Sequence, residues 1–196
     1  MSKYFQPNEL AEMNDTRVRI FAERETIYRK YKIDVLDTDA LSSLSIYEIV
    51  HQYDNDYNIN FSRNGEDAKS SGVLIEQKAS RVDGILTKTG KKRKGAGQDA
   101  VFLFHAMGEI EHPRYIFVAR NKVDLKVARL YDISTKTNCK IIQKHLLDEQ
   151  NNWLAKGKKD KSKMKRDIIT ITEKFIKENI VLTKQFTISG CIVNTD

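Results

Sequence analysis

A chain of 196 residues with 40% hydrophobic side chains can bury one sizeable core. No apolar run approaches the roughly 20 residues that cross a bilayer, which excludes a helical membrane protein. The formal charge of +7, from 34 Lys and Arg against 27 Asp and Glu, favours a polyanionic partner such as nucleic acid. The opening MSKYFQPNELAEMND has no apolar signal-peptide core, so a cytoplasmic location is expected. Cys139 and Cys191 lack metal-ligand spacing and read as free buried thiols.

Residues 8–32 have helical spacing: Met13, Ile20 and Ile27 recur every seven positions, with Leu10, Phe21, Tyr28 and Tyr31 beside them. This face either packs on the protein's own core or forms a dimer arm. Asn14 and Asp15 are expected to break the segment and cap a second helix. Residues 37–53 form the next expected helix, capped by Asp37, Thr38 or Asp39. Glu48 projects from it as a candidate accessory acid. A polar stretch at 54–65 ends in Asn64-Gly65, a turn signal.

Residues 66–80, EDAKSSGVLIEQKAS, read as two short strands joined at Ser70-Ser71-Gly72. The basic, glycine-containing run at 81–97 reads as a loop. Residues 98–111 fit a helix face through Ala100, Leu103, Phe104, Met107 and Ile110, although AVFLFHA also suits a buried strand. RYIFVAR at 114–120 is a central-strand sequence, a turn follows at 121–124, and residues 125–133 alternate as another strand. Helical spacing returns at 138–153, a basic run occupies 156–166, a further helix is expected at 166–179, and 181–193 holds strand-like pieces. The sum is an α/β chain with a mixed central β-sheet flanked by α-helices. Residues 1–60 form an N-terminal helical region, and residues 61–196 form the core.

The chemistry concentrates on the hairpin. Glu76 and Lys78 lie two apart on a strand and so share a face, while Ile75 and Gln77 point the other way. If Asp67 folds back across the turn, two carboxylates and an ammonium meet. Asp67 and Glu76 would offer oxygen ligands to Mg2+, and the Gln77 backbone carbonyl a third. Lys78 would serve the attacking water and offset phosphate charge. E-x-K alone also fits a solvated strand face carrying a weak ion pair. The VLI run before it, the upstream Asp and the basic loop behind it favour a metal site.

Asp67 and Glu76-Gln77-Lys78 resemble the D…(D/E)-x-K signature of the PD-(D/E)xK nuclease superfamily. Within it, residues 64–153 resemble the type II restriction endonucleases. The resemblance implies a restriction-endonuclease-like fold and Mg2+-dependent cleavage of double-stranded DNA at a specific site. It assigns metal binding to Asp67 and Glu76 and service of the water to Lys78. It also implies a homodimer, and it allows a cognate DNA methyltransferase acting on the same site. Glu66 stands where the superfamily usually has proline. The histidine run that reads bases in the most similar enzymes has no counterpart here. KTGKKRKGAGQ occupies that place, so Lys88, Lys91, Lys92, Arg93, Lys94 and Gln98 are the candidate DNA-binding residues, mostly to phosphates.

His51, His105, His112 and His145 are scattered, and His105 within FLFHA reads as a core residue. Trp153 and the tyrosines read as packing residues. A structure-selective or repair nuclease with the same core is one alternative, and a non-catalytic basic DNA-binding regulator is another.

Overall fold

The computed structural model describes residues 7–34, 38–61, 67–82, 99–120, 126–159 and 168–196. These hold helices α1 (Pro7–Tyr31), α2 (Thr38–Val50), α3 (Lys136–Lys159) and α4 (Glu173–Asn179). Strands β1 (Asn58–Ile59), β2 (Ala68–Ser70), β3 (Val73–Arg81), β4 (Val101–His105), β5 (Arg114–Arg120) and β6 (Val127–Ile133) all precede α3, and β6 leads into it. Strand β7 (Ile168–Thr172) comes before α4, and β8 (Lys184–Ile188) and β9 (Cys191–Thr195) close the chain.

The hairpin at the centre of the sequence argument is present. Ser71 and Gly72 both have positive φ, 47° and 80°. Two such residues between antiparallel strands match the right-handed twist of the flanking pair. Glycine takes this backbone without the steric penalty a side chain brings. The turn sets the register Ala68↔Ile75 and Ser70↔Val73. Beyond Ile75, β3 outruns β2 and pairs along its other side with β5, in parallel, from Ile75↔Arg114 to Arg81↔Arg120.

Among the described residues, seven strands form one sheet in the order β1-β2-β3-β5-β6-β9-β8, and β4 pairs with β7 in a separate ladder. RYIFVAR lies in the middle of the large sheet, and its residues from Tyr115 to Arg120 are all buried. Tyr115, Phe117, Tyr131 and Ile133 face one side, where they pack with Phe102 and Phe104 of β4 and Ile142 and Leu146 of α3. Ile75, Ile116, Val118 and Leu130 face the other, against Ile46, Ile49 and Val50 of α2 and Tyr57. Each such side chain taken out of water contributes about 1.5–3 kcal/mol. The result is a mixed α/β arrangement with a central sheet flanked by helices.

The β4–β7 layer is tied to the sheet by Glu173, which is fully buried. Its carboxylate accepts hydrogen bonds from Arg129 Nε at 2.5 Å and Nη2 at 2.8 Å, Tyr131 Oη at 2.5 Å and the Ala100 backbone N–H at 2.9 Å. Burial alone would raise this carboxyl. The donors around it outweigh burial and bring it down to about 2.

Several expectations need correction. The helix expected at 98–111 is not found among the described residues 99–111: β4 alternates, with Phe102 and Phe104 buried and Val101, Leu103 and His105 exposed. Pairing of Phe102 with Ile171 and of Phe104 with Ile169 outweighs local helical spacing. His105 is therefore exposed, not a core residue. The helix expected at 166–179 divides at Thr172 into β7 and α4. The Thr172 hydroxyl caps α4 by accepting from the Phe175 backbone N–H at 3.1 Å. Helix α1 runs unbroken through Asn14 and Asp15, where Asn14 Oδ1 accepts from Arg17 Nη2 at 3.0 Å and caps no new turn. The polar stretch at 54–65 contains the short strand β1.

The chain divides into two compact units, Met1–Ser43 and Leu44–Asp196, so residues 44–60 belong with the core. Within the first unit, Leu10, Met13, Ile20, Phe21, Tyr28 and Tyr31 of α1 are exposed. Cys139 and Cys191 are free and buried, as expected. Trp153 packs partly buried against the core. No helix among the described residues is long and apolar enough to cross a membrane. The expected turns at 64–65 and 121–124, the loop from residue 83 onward and the basic run at 160–166 lie outside the described residues.

Candidate active site

Strand β3 builds the site by its pleat. Ile75 is buried on the α2 side, and Gln77 is fixed there by Tyr57, whose hydroxyl donates to Gln77 Oε1 at 2.5 Å. Glu76 and Lys78, paired in register with Tyr115 and Phe117, project to the opposite face. There the Lys78 ammonium forms an ion pair with Glu76 Oε1 and stands 5.3 Å from the Phe104 ring centroid. The aromatic face attracts the cation and shields one side of it from water.

Asp67 does fold back across the turn. Its Oδ2 accepts the backbone N–H of Gln77 at 3.0 Å and lies 3.5 Å from Lys78 Nζ. One ammonium is thus shared by two carboxylates. The amide and carbonyl of a strand residue point to the same edge. Because the Gln77 N–H turns toward Asp67, the Gln77 carbonyl also faces that edge, where β2 no longer pairs with β3. Asp67, Glu76 and the Gln77 carbonyl therefore supply oxygen atoms around one corner of the strand.

Glu76 is mostly covered, with 14% of its side chain exposed. Burial pushes its carboxyl above the ordinary glutamate range. Lys78 works against this, and the negative charge of Asp67 adds to it. A hard divalent cation beside the pair would relieve the repulsion, and it prefers such oxygen donors. The donor set fits Mg2+ in its chemistry. Among the described residues no group of three or more His, Cys, Asp and Glu side chains converges on a metal position; the third oxygen here is a backbone carbonyl.

The pair opens into a cleft of about 530 Å3 lined by Glu76, Lys78, Leu103, Phe104, Gly108 and His112 among others. His112 is the residue that sequence reasoning missed. It is buried, with Nε2 3.8 Å from Glu76 Oε2. Its ring meets Tyr115 edge-on at 5.7 Å, and the Gln143 side chain donates to its backbone carbonyl at 3.0 Å. The parallel pairing of β3 with β5 brings it beside Glu76, and no local spacing in the sequence signals that. Gly108 closes the turn after β4, and a Cβ there would stand 3.2 Å from the His105 carbonyl oxygen.

Glu48 is not brought to the pair. It is exposed on α2, which packs Ile46, Ile49 and Val50 against the Ile75 face of the sheet, away from Glu76 and Lys78. Lys88, Lys91, Lys92, Arg93, Lys94 and Gln98 lie outside the described residues. No protein-family model and no curated protein matches this chain.

Proposed function

We propose that this chain is a Mg2+-dependent nuclease of the PD-(D/E)xK type that hydrolyses phosphodiester bonds in double-stranded DNA, acting at a specific site as type II restriction endonucleases do. The observation that carries this reading is the meeting of Asp67, Glu76 and Lys78 at the point where β3 leaves β2, with the Gln77 carbonyl facing the same edge. A restriction-endonuclease-like core is the finer reading of this mixed sheet, in which β3 carries the acidic and basic side chains at its exposed corner.

Each residue has a role in such a reaction. Asp67 and Glu76 hold the ion, with the Gln77 carbonyl as a third oxygen. When bound, Mg2+ polarises a phosphoryl oxygen and acidifies its water. Lys78 orients the attacking water and offsets charge that builds on the phosphate. Phe104 covers the ammonium and limits where it can swing. Tyr57, through Gln77, fixes the backbone that sets the positions of Glu76 and Lys78. The net charge of +7 draws the polyanion. The exposed apolar residues of α1 supply the contact for a homodimer, in which each subunit cuts one strand.

Incubation with long unmodified duplex DNA tests this reading. Discrete fragments that require Mg2+ and are lost in Glu76→Ala and Lys78→Ala support it. Cleavage confined to branched or damaged DNA shifts the reading to a structure-selective or repair nuclease. Salt-sensitive binding without cutting, unchanged in both variants, overturns catalysis in favour of a DNA-binding regulator.

A further inference from the structure

A second groove, of about 700 Å3, runs past the turn of β2 and β3 to the start of α3, and it shares His112 with the cleft that holds Glu76 and Lys78. Lys136 and Lys140 line it from successive turns of α3. Both are exposed, and among the described residues neither pairs with a carboxylate. Lys144 continues the same stripe, four residues further on, and is also exposed. Arg114 lines the groove too, but Asp54 and Asp132 hold its guanidinium at 2.6 Å and 2.5 Å. Glu111 is an acid on this wall. The two α3 lysines are thus the cations the groove has to offer.

Their position is unusual for a helix. The first turn of α3 has no acidic residue and begins at Lys136, although the positive end of the helix dipole disfavours cations there. The chain offsets this with Asp196, whose carboxylate accepts the backbone N–H groups of Ser134 and Thr135, each at 2.9 Å. With the amides before the helix capped by Asp196, the lysines are left to meet an external anion. Four residues of helix, about 6 Å, separate them along the axis. That spans between one and two steps of a DNA strand, at about 3.4 Å each.

We infer that Lys136 and Lys140 form a phosphate-binding track that holds the DNA strand beyond the bond being cut, continuous with the catalytic cleft through His112. The inference rests on the nuclease reading and extends it. Charge complementarity and continuity with the cleft select a phosphodiester backbone as the occupant.

The test uses the full chain carrying Glu76→Ala, so that binding is read without cutting, with and without Lys136→Ala/Lys140→Ala. A duplex oligonucleotide is titrated across a range of salt concentrations. Loss of two phosphate contacts weakens binding about tenfold or more and makes the slope of log K against log salt shallower by about 2. In the otherwise wild-type protein the double substitution raises KM and leaves kcat at saturating DNA unchanged. Lys184→Ala on β8, at the far edge of the sheet, serves as the charge control. Unchanged affinity and slope in the double variant, while the wild-type chain cuts DNA, overturn the track alone. An equal loss in Lys184→Ala also overturns it. A wild-type chain that neither binds nor cuts DNA overturns the track and the nuclease reading together.

Discussion

Asp67 accepts the backbone N–H of Gln77 at 3.0 Å, across the hairpin that separates them. The bond fixes one carboxylate oxygen of Asp67 at the strand edge toward which the Gln77 carbonyl also turns. Asp67→Asn keeps an acceptor for this N–H and removes the charge. The expected outcome is a folded protein, with Tm within about 2 °C of wild type, and a Mg2+-dependent cleavage rate down by at least about a hundredfold. Thermal unfolding and single-turnover cleavage measure the two arms. A loss of structure equal to the loss of activity would mean that Asp67 serves the hairpin and not the metal.

Tyr57 supports the site from the opposite face through Gln77. Tyr57→Phe keeps the ring in the core and deletes the donor. Losing a buried hydrogen bond in this way costs about 1–3 kcal/mol. Chemical denaturation should show a lower midpoint with an unchanged slope.

Glu173 gives a pH prediction about stability. Its carboxyl is held at about 2 in the folded chain, below the ordinary 4.5. A lowered carboxyl stabilises the fold above the ordinary value, and the contribution is lost as pH falls from about 4.5 toward 2. The shift corresponds to roughly 3 kcal/mol. Glu173→Gln should therefore lower unfolding free energy by about that amount at pH 7 and by much less near pH 2. Equal loss at both pH values would contradict the assignment.

The hairpin and the central strand were legible in the sequence because their signals are local. Ser-Ser-Gly marks a turn, and Glu76 and Lys78 at spacing two share a face whatever lies around them. Strand β4 could not be told from a helix because its exposed positions, Val101 and Leu103, are apolar like its buried ones, Phe102 and Phe104. Alternation therefore disappears from a hydrophobicity pattern, and pairing with β7 is what decides for the strand. Strand β7 was concealed by running straight into α4 at a threonine that ends one element and caps the next. His112 was invisible for a different reason: its place beside Glu76 is created by strand pairing, which no spacing within either segment encodes.

Glu76 gives a pH prediction about activity. Burial and the charge of Asp67 hold its carboxyl above the ordinary range. On the proposed nuclease reading it would bind the metal only when ionised, so Mg2+ affinity and cleavage should rise as pH increases through this raised value. The acid limb of the rate profile should lie at higher pH than an exposed glutamate would give, and it should move to lower pH as Mg2+ is raised. An acid limb fixed in the ordinary carboxylate range at every Mg2+ concentration would count against Glu76 as a ligand.

The most direct measurement is the single-turnover rate of phosphodiester cleavage in duplex DNA with Mg2+, compared among wild type, Glu76→Ala, Lys78→Ala and Lys184→Ala. The account predicts cleavage by wild type and Lys184→Ala alike, its loss in both site variants, and no cleavage by any of the four without the metal. Cleavage that survives in Glu76→Ala or Lys78→Ala at the wild-type rate, or that proceeds equally with Mg2+ removed, would contradict it.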